Sequence, residues 1–373
     1  MNRPPEDHRR GEPPRRRRPG GGNGRLRSLL WNLYKGLTVI SAVIIVSYLA
    51  AKALIHPPEQ LPAPPEPPGP AASQHVDVSS SGSEPSKSKE DWPDLLPLAR
   101  KKDFYTVLLA ATDVEGVRTD TIMVLAYDVA NQRVGVVSVP RDTLTRREDG
   151  KNPKLAYGPG NVIQRREDVS HMLGIPIDRY VKVNIRGFVA LVDYLKGVDF
   201  YIPCDMDYDD PDQELEIHYK KGKTHLSGQQ AMEVARFRKN NDGTGYSDVG
   251  RTQTQQKLLM ALAKKVLSWG NITKINDFVD IFNQHVSTDM EIGEMLYFVQ
   301  KVMDQSNPLD PAEQVETVTL EGRGDSIYHG IRYCYELDPD KTLESVNRLL
   351  NPYTRNLTLR EMDLVKADRY MED

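Results

Sequence analysis

The chain has 373 residues, a formal net charge of -4 and two cysteines. This length accommodates a membrane segment, a linker and one large domain. Two cysteines are too few for a disulfide framework or a zinc site, which leaves either one bridge or two buried thiols for Cys204 and Cys334.

The charge is distributed unevenly along the chain. Residues 1–56 carry a balance of +8, and the remainder carries -12. A basic head joined to an acidic body indicates the two sides of a membrane. An acidic surface repels a phosphate backbone, which argues against binding of nucleic acid. We therefore predict a disordered basic cytoplasmic tail over residues 1–28 and no nucleic-acid partner.

An uncharged segment, Gly36–Ala51, lies in the middle of residues 29–55. Its apolar flanks bring it close to the ~20 residues that a bilayer-spanning helix needs. The arginines precede it, so the positive-inside rule predicts a cytoplasmic N-terminus and an extracytoplasmic body. The alternative is a cleaved signal peptide, since "YLAAKA" offers small residues, but the long basic head favours an uncleaved transmembrane helix over 29–55.

Composition divides the rest of the chain into three parts. Residues 56–94 are rich in Pro and Ser, which predicts an extended extracytoplasmic linker with little to bury. The folded domain is expected over 95–305, followed by a C-terminal extension over 306–373 that packs on it.

Three early runs in this domain, 104–112, 121–128 and 133–140, are apolar and β-branched without strict alternation. Such runs are typical of strands that are covered on both faces. Helical patterns follow, one of them ending at Gly174 and another beginning after Ser227. The alternation predicts an α/β fold, a central sheet with helices on both faces in three layers (α-β-α).

The first polar cluster is "TDVEGVRTDT", which connects two predicted strands and contains Asp113, Arg118 and Asp120. Two carboxylates at strand ends suit a hard cation such as Mg²⁺. A turn whose aspartates accept backbone hydrogen bonds would explain the same residues.

The second cluster is "VPRDT", at the end of a strand. Arg141 would lie at the rim of the sheet, where ligands of α/β proteins bind, and its planar fork suits a phosphate. An ion pair between Arg141 and Asp142 that closes the sheet edge is the alternative.

The third cluster is "EVARFRKNNDGTGYSDVGRTQTQQ". Arg236 and Arg238 follow one another at the end of a predicted helix. Arg251 and Gln255 are four residues apart, on one face of the next helix, where they would reinforce an anion site. A solvated polar face is the alternative.

The order of these motifs resembles that of the LytR–CpsA–Psr family, from about Asp103 to about Met303. The matching stretches are "ATD", "VRTDT", "SVPRDT", "LGIPIDRYVKVN", "GFVALVDYLKGVDFYIP", "HLSGQQAMEVARFR" and "SDVGRTQTQ". The resemblance implies an enzyme that transfers a glycopolymer, such as wall teichoic acid or capsule, from a polyprenyl-pyrophosphate lipid onto peptidoglycan through a phosphodiester.

The same resemblance implies a role for each site residue. Asp113 and Asp120 would hold Mg²⁺, and Asp248 would orient or deprotonate the attacking sugar hydroxyl. The cations that would clamp the two phosphates are Arg118, Arg141, Arg236, Arg238 and Arg251, with Lys154 and Gln255 beside them. Arginines and a metal ion would stabilise the charge that gathers as a pyrophosphate breaks.

The chain departs from the family pattern at a few positions. Ala111 stands where glycine is usual, Val114 and Thr254 where arginine is usual, and Ala156 where asparagine is usual. Three other functions therefore stay open: a pyrophosphatase that uses water as acceptor, a binding protein for prenyl-linked precursors, and a transcriptional attenuator. The acidic extracytoplasmic body argues against the last.

Overall fold

A computed structural model describes residues 55–64, 98–112, 119–147, 151–157, 161–211, 215–245, 248–268, 284–304, 306 and 309–371, without the side chains of 248, 249, 266–268 and 312. The chain divides into two compact units, Met1–Ile55 and His56–Asp373. The predicted tail and, except for Ile55, the predicted transmembrane segment lie outside the described residues. None of the helices within those ranges is long and apolar enough to cross a membrane.

The strands belong to the second unit. In chain order they are β1 Phe104–Thr112, β2 Thr119–Asp128, β3 Arg133–Ser138, β4 Arg179–Asn184, β5 Val198–Ile202, β6 Met206–Asp210, β7 Leu215–Tyr219, β8 Gly222–Leu226, β9 Val286–Thr288, β10 Val315–Thr319, β11 Gly322–Tyr328, β12 Ile331–Leu337 and β13 Arg369–Tyr370.

The helices alternate with these strands. They are α1 Val162–Leu173, α2 Ile185–Tyr194, α3 Gly228–Arg236, α4 Asp248–Ser268, α5 Ile292–Val302, α6 Pro311–Gln314 and α7 Pro339–Leu349, with 3₁₀ turns at Leu155–Tyr157 and Leu359–Glu361. The predicted caps are confirmed: Gly174 ends α1 in the left-handed region (φ 67°), and the Ser227 hydroxyl accepts from the backbone of α3.

Six strands form the central sheet, in the order β10-β3-β2-β1-β4-β9. The β1–β2–β3 meander is antiparallel, whereas β1 pairs with β4 and β3 pairs with β10 in parallel. The sheet is therefore mixed. The short β2–β3 connection requires an antiparallel pair, because a parallel one needs a long crossover.

Helices cover both faces of this sheet, as the sequence predicts. On one face, Leu108 and Val124 are fully buried in a core that α1 and α7 complete. On the other face, Tyr105 packs edge-on against Phe298 of α5, with ring centroids 5.4 Å apart. Alternate residues of each strand thus enter different cores, which explains why the runs lack polar alternation.

A second core lies beside the sheet. Helices α2, α3 and α4 enclose it with the two-stranded pairs β5–β8 and β6–β7, and Ile217, Phe237 and Leu258 are buried within it. Helix α4 contacts both β5 and β10, so it joins the second core to the edge of the central sheet.

The residues after 305 contribute to the sheet as well as packing on it. Strand β10 forms its edge beside β3, and β11, β12 and β13 make a separate small sheet. Thr143 pairs with Tyr335 of β12 in an isolated parallel bridge, so this small sheet contacts the segment that follows β3. Both cysteines are free thiols, with Cys334 fully buried.

The first residues of the predicted linker, 56–64, contact the folded domain. Pro58 is buried, and the Gln60 amide donates to the carbonyls of Lys101 and Phe104 at 3.1 and 2.8 Å. The backbone N–H of Leu61 donates to Asp178 at 2.8 Å. These hydrogen bonds hold the first residues of the predicted linker against the domain.

Candidate active site

A cavity of about 230 Å³ opens beyond the end of β3. Its walls come from β2, from the segment after β3, from α4 and from the C-terminal strands. The lining residues are Asp120, Thr121, Ile122, Ser138, Val139, Pro140, Arg141, Asp142, Arg251, Thr252, Gln255, Thr319, Gly324 and Tyr335. Four of the ten predicted site residues are among them: Asp120, Arg141, Arg251 and Gln255.

Arg141 reaches this cavity because β3 delivers it there. Strand β3 ends at Ser138, and Pro140 follows with no N–H to extend the ladder. The Arg141 guanidinium donates from Nη1 to Asp120 Oδ1 at 2.7 Å, and its Nε lies 3.5 Å from Asp142 Oδ2. The two carboxylates therefore fix the direction of the planar guanidinium before a ligand binds.

The backbone around Arg141 is fixed by its neighbours. The Thr143 N–H donates to Pro140 at 3.0 Å, and the Ala156 N–H donates to the Arg141 carbonyl at 2.8 Å. Tyr335 exchanges two hydrogen bonds with this segment, donating to the Asp142 carbonyl at 2.8 Å and accepting from the Leu144 N–H at 2.9 Å. Because its backbone groups are hydrogen-bonded on both sides, the segment around Arg141 is held rigidly.

Charges alternate through the site. Lys154 Nζ lies 3.4 Å from Asp142 Oδ1, so Asp120, Arg141, Asp142 and Lys154 form a chain of opposite charges. Lys154 does not line the cavity and reaches it only through Asp142. Arg251 adds a further cation to the wall, which makes the cavity suited to an anion.

Helix α4 is fixed by two glutamines in succession. The Gln256 amide is buried and donates to Ser138 Oγ at 2.9 Å and to the Val318 carbonyl at 3.0 Å. Gln255 donates to the Ala235 carbonyl and accepts from Thr121 Oγ1, both at 3.1 Å. These bonds join α4 to β2, β3, β10 and α3, and thereby turn Arg251 toward the cavity.

The other predicted residues lie elsewhere or outside the described chain. Arg236 ends α3 and, with Arg238, does not line the cavity. The segment that follows Arg238 lies against the β6–β7 hairpin, since the N–H groups of Asp207 and Asp209 donate to Asn240 and Asn241 at 2.8 and 3.0 Å. Asp113 and Arg118 fall outside the described residues. Asp248 begins α4, and its side chain is likewise outside them.

Asp120 and Asp142 are the two described carboxylates that line the cavity, and Asp120 is the one that the sequence predicts as a cation ligand. One of its oxygens accepts from Arg141, and its side chain is 35% exposed. Mg²⁺ is commonly held by one or two carboxylates together with waters and phosphate oxygens, so this donor fits. Asp207, Asp209 and His218 form another cluster, but it is exposed, and His218 hydrogen-bonds to Asp207 and Asp209.

Sequence reasoning missed the polar and aromatic residues that complete the cavity. Thr121, Ser138 and Thr319 are strand residues, and the first two are hydroxyl-bearing exceptions in apolar runs, which is a usable signal. Gly324 and Tyr335 come from the C-terminal strands, far along the chain. Their place depends on the pairing of Thr143 with Tyr335, for which the sequence carries no local signal.

Comparisons with known proteins agree with this architecture. The model of the LytR_cpsA_psr family matches residues 71–351. A teichoic acid transferase of Bacillus subtilis, TagV ("polyisoprenyl-teichoic acid--peptidoglycan teichoic acid transferase"), is 31% identical over 76% of this chain and 71% of its own. TagU of Bacillus anthracis, which carries the same description, is 31% identical over 65% of this chain and 77% of its own.

Solved structures share the fold. The crystal structure of Bacillus subtilis TagV superposes with a TM-score of 0.56 at 27% identity, covering 68% of this chain and all of that one. The family match spans β1 to β12, the cavity and α4 together. The chain therefore belongs to the LytR–CpsA–Psr family.

Proposed function

We propose that this chain is a transferase that moves a glycopolymer from a polyprenyl-pyrophosphate carrier onto peptidoglycan. The observation that carries the proposal is Arg141, held by Asp120 at the end of β3 in a cavity that Arg251 also lines. Relatives at 31% identity are described as transferases of polyisoprenyl-linked teichoic acid to peptidoglycan. The coarser function, glycopolymer transfer to peptidoglycan, follows from that family membership.

The proposed reaction is a phosphoryl transfer. A hydroxyl of the peptidoglycan sugar attacks the phosphorus that bears the glycopolymer and forms a new P–O bond. The bridging P–O bond to the prenyl phosphate breaks and keeps its electron pair on the leaving prenyl phosphate, and the hydroxyl proton is lost to a base. Negative charge gathers on the phosphoryl and leaving oxygens, so fixed cations lower the barrier.

The residues of the cavity can supply that stabilisation. Arg141 offers a planar fork to two phosphate oxygens, and Arg251 offers a second cation from α4. Asp142 and Lys154 would keep the Arg141 guanidinium aimed, since Asp142 lies within 3.5 Å of both cationic groups. Asp248, at the start of α4, stays our candidate for the base, and Arg236, Arg238 and Gln255 stay candidates for additional contacts.

Mg²⁺ and membrane attachment are further parts of the proposal. Asp120, together with Asp113, would hold the cation, which when bound would neutralise phosphate charge. A transmembrane helix over 29–55 would hold the domain on the outer face of the cell membrane, where prenyl-linked donors and peptidoglycan meet. Both expectations rest on the sequence and the family.

The test compares Arg141→Ala with Arg146→Ala in the full chain. Arg146 is five residues further on, is more than half exposed and pairs with Asp363 at 2.6 Å. We expect Arg141→Ala to lower turnover of a prenyl-pyrophosphate-linked glycan by about 10²-fold or more, since one charge-stabilising donor is worth that much. Arg146→Ala should keep it. Equal turnover by both variants would overturn the assignment of Arg141.

A second candidate, hydrolysis or simple binding of the same donor, has one observation in its favour. Thr254 replaces an arginine of the family pattern, is buried and donates its hydroxyl to the Gly250 carbonyl at 3.0 Å, so one cation of the pattern is absent. Product analysis with peptidoglycan present decides between them. A phosphodiester-linked product favours transfer, free glycan phosphate favours hydrolysis, and bound but unaltered donor favours a binding protein.

A further inference from the structure

The C-terminal strands bring an aromatic ring to the cavity. Tyr335 of β12 lines it beside Asp142, to whose carbonyl its own N–H donates at 2.8 Å. The phenol hydroxyl lies 3.5 Å from the Leu320 carbonyl, and the ring packs partly against the main core. Its orientation is therefore set from two sides, and the residue also lines the cavity.

Gly324 of β11 lies beside this ring. A Cβ built on Gly324 would meet Cδ2 of Tyr335 at 3.6 Å and Cε2 at 4.0 Å, which is ordinary contact, and Gly324 has no positive φ. By contrast, a Cβ on Gly322 would come within 2.0 Å of the Glu336 carbonyl oxygen. The backbone thus requires glycine at 322 but not at 324. Glycine at 324 therefore keeps a side chain off the Cδ2–Cε2 edge of the ring.

We propose that Tyr335 and Gly324 form a stacking platform for a pyranose sugar ring next to the phosphate-binding arginine. The face of a phenol ring carries partial negative charge, and the axial C–H groups of a sugar carry partial positive charge and an apolar surface. A phosphate on Arg141 and a sugar on Tyr335 would therefore be neighbours, as they are in a glycosyl phosphate. This inference rests on the proposed function and adds the residue that recognises the sugar.

Two sugars have this chemistry: the first sugar of the donor, bonded to the phosphate, and the sugar of the acceptor that supplies the hydroxyl. The platform would serve either, because it recognises only a ring face. The Tyr335 N–H bonds to Asp142, the residue next to Arg141, so either sugar would lie close to a phosphate on Arg141. The experiment below separates them by which KM changes.

The experiment uses the full chain in detergent with Tyr335→Leu, Tyr335→Phe, Gly324→Ala and, as control, Tyr333→Leu. Tyr333 is on the same strand, is 65% exposed and does not line the cavity. Donors are a prenyl pyrophosphate without sugar and a prenyl-pyrophosphate-linked disaccharide, with a soluble peptidoglycan fragment as acceptor. Two quantities are measured. The first is the ratio of kcat/KM for the sugar-bearing donor to kcat/KM for the sugar-free donor, and the second is the KM for the acceptor.

Removing the ring or covering it should lower that ratio, or raise the acceptor KM, roughly threefold to tenfold, as expected for one aromatic contact. Gly324→Ala places a methyl group on the ring and serves as the test if Tyr335→Leu does not fold. Tyr335→Phe should lose less than Tyr335→Leu, because the ring stays. A change in the donor ratio assigns the platform to the donor, and a change in the acceptor KM assigns it to the acceptor.

Other outcomes overturn the proposal. If Gly324→Ala and Tyr335→Leu act no differently from Tyr333→Leu on both readouts, no sugar stacks there. If the variants lose activity equally on sugar-free and sugar-bearing donors, with the acceptor KM unchanged, Tyr335 only holds the Asp142 segment. If the wild-type chain turns over neither donor, the proposed function fails, and calorimetric binding of the disaccharide fragment to wild type and Gly324→Ala still decides the stacking separately.

Discussion

Two arginine–aspartate pairs lie at opposite ends of β1, and both have an Nη1–Oδ1 distance of 2.7 Å. At the start of the strand, Asp178 is 1% exposed and pairs with Arg100. At the far end, Asp120 is 35% exposed and pairs with Arg141. The pair distance does not separate a structural pair from a site, so the surroundings must.

The surroundings differ in burial and in what lies beside each carboxylate. Both oxygens of Asp178 are used, by Arg100 Nη1 and Nη2, by the backbone N–H of Leu61 and by the N–H and hydroxyl of Thr106. Asp120 instead faces a cavity, with Arg141 shared between two carboxylates. A saturated buried pair has nothing left for a ligand, whereas a pair at a cavity wall can exchange a partner for one.

The largest effect should come from breaking the buried pair. Asp178→Asn leaves Arg100 without its charge partner and several donors with a weaker acceptor, so we expect a loss of about 3–5 kcal/mol in the free energy of unfolding. Thermal unfolding of the full chain would measure it. Asp325→Asn, in an exposed pair with Arg323, is the control and should change little. A stable Asp178→Asn chain would contradict the structural reading of this pair.

The cavity pair should show the opposite profile. Asp120→Asn should cost under about 1 kcal/mol of stability, because a pair that is partly exposed contributes little. Turnover should nevertheless fall by about 10²-fold, about 2.7 kcal/mol in activation free energy, since Asp120 aims Arg141 and is the proposed cation ligand. Unfolding and turnover are measured on the same preparation. Loss of stability comparable to that of Asp178→Asn would remove the distinction between the two pairs.

The two pairs also differ in how well the sequence predicts them. The motif "SVPRDT" pointed to Arg141, because an apolar strand that stops at a proline places the next charged residue at the sheet edge. The strand was predicted over 133–140 and ends two residues earlier, at Ser138, because its buried part is a mostly apolar run that signals a strand. No local pattern predicts the pairing of Arg100 with Asp178, because the two residues are 78 positions apart in the sequence.

Other parts of the fold escaped prediction for the same reason. One strand of the β6–β7 hairpin has the acidic sequence "MDYDD". Its alternation of apolar and polar residues is too short to predict a strand. Tyr335 lines the cavity because it pairs with Thr143, which is distant in the sequence. Local pattern predicts elements that are buried on both faces, and long-range pairing decides which of their ends meet.

A smaller effect should follow from loosening α4 behind the cavity. Gln256→Leu removes the donor to Ser138 Oγ and to the Val318 carbonyl, leaving buried acceptors unsatisfied at a cost of about 1–3 kcal/mol. We also expect a higher donor KM, because Arg251 lies on the same helix. Gln253→Leu, an exposed position on α4, is the matched control. An unchanged KM together with lost stability would limit Gln256 to a structural role.

The smallest effect should come from the end of the charge chain. Lys154→Met removes the group 3.4 Å from Asp142 Oδ1 but keeps an apolar chain of similar length. Asp142 then interacts with Arg141 alone, and we expect turnover to fall about twofold to fivefold, the equivalent of one partly exposed ion pair. Lys151→Met, at an exposed position three residues earlier, should leave turnover as it is. A loss as large as that of Asp120→Asn would mean that Lys154 contacts the phosphate directly and that the cavity extends past Asp142.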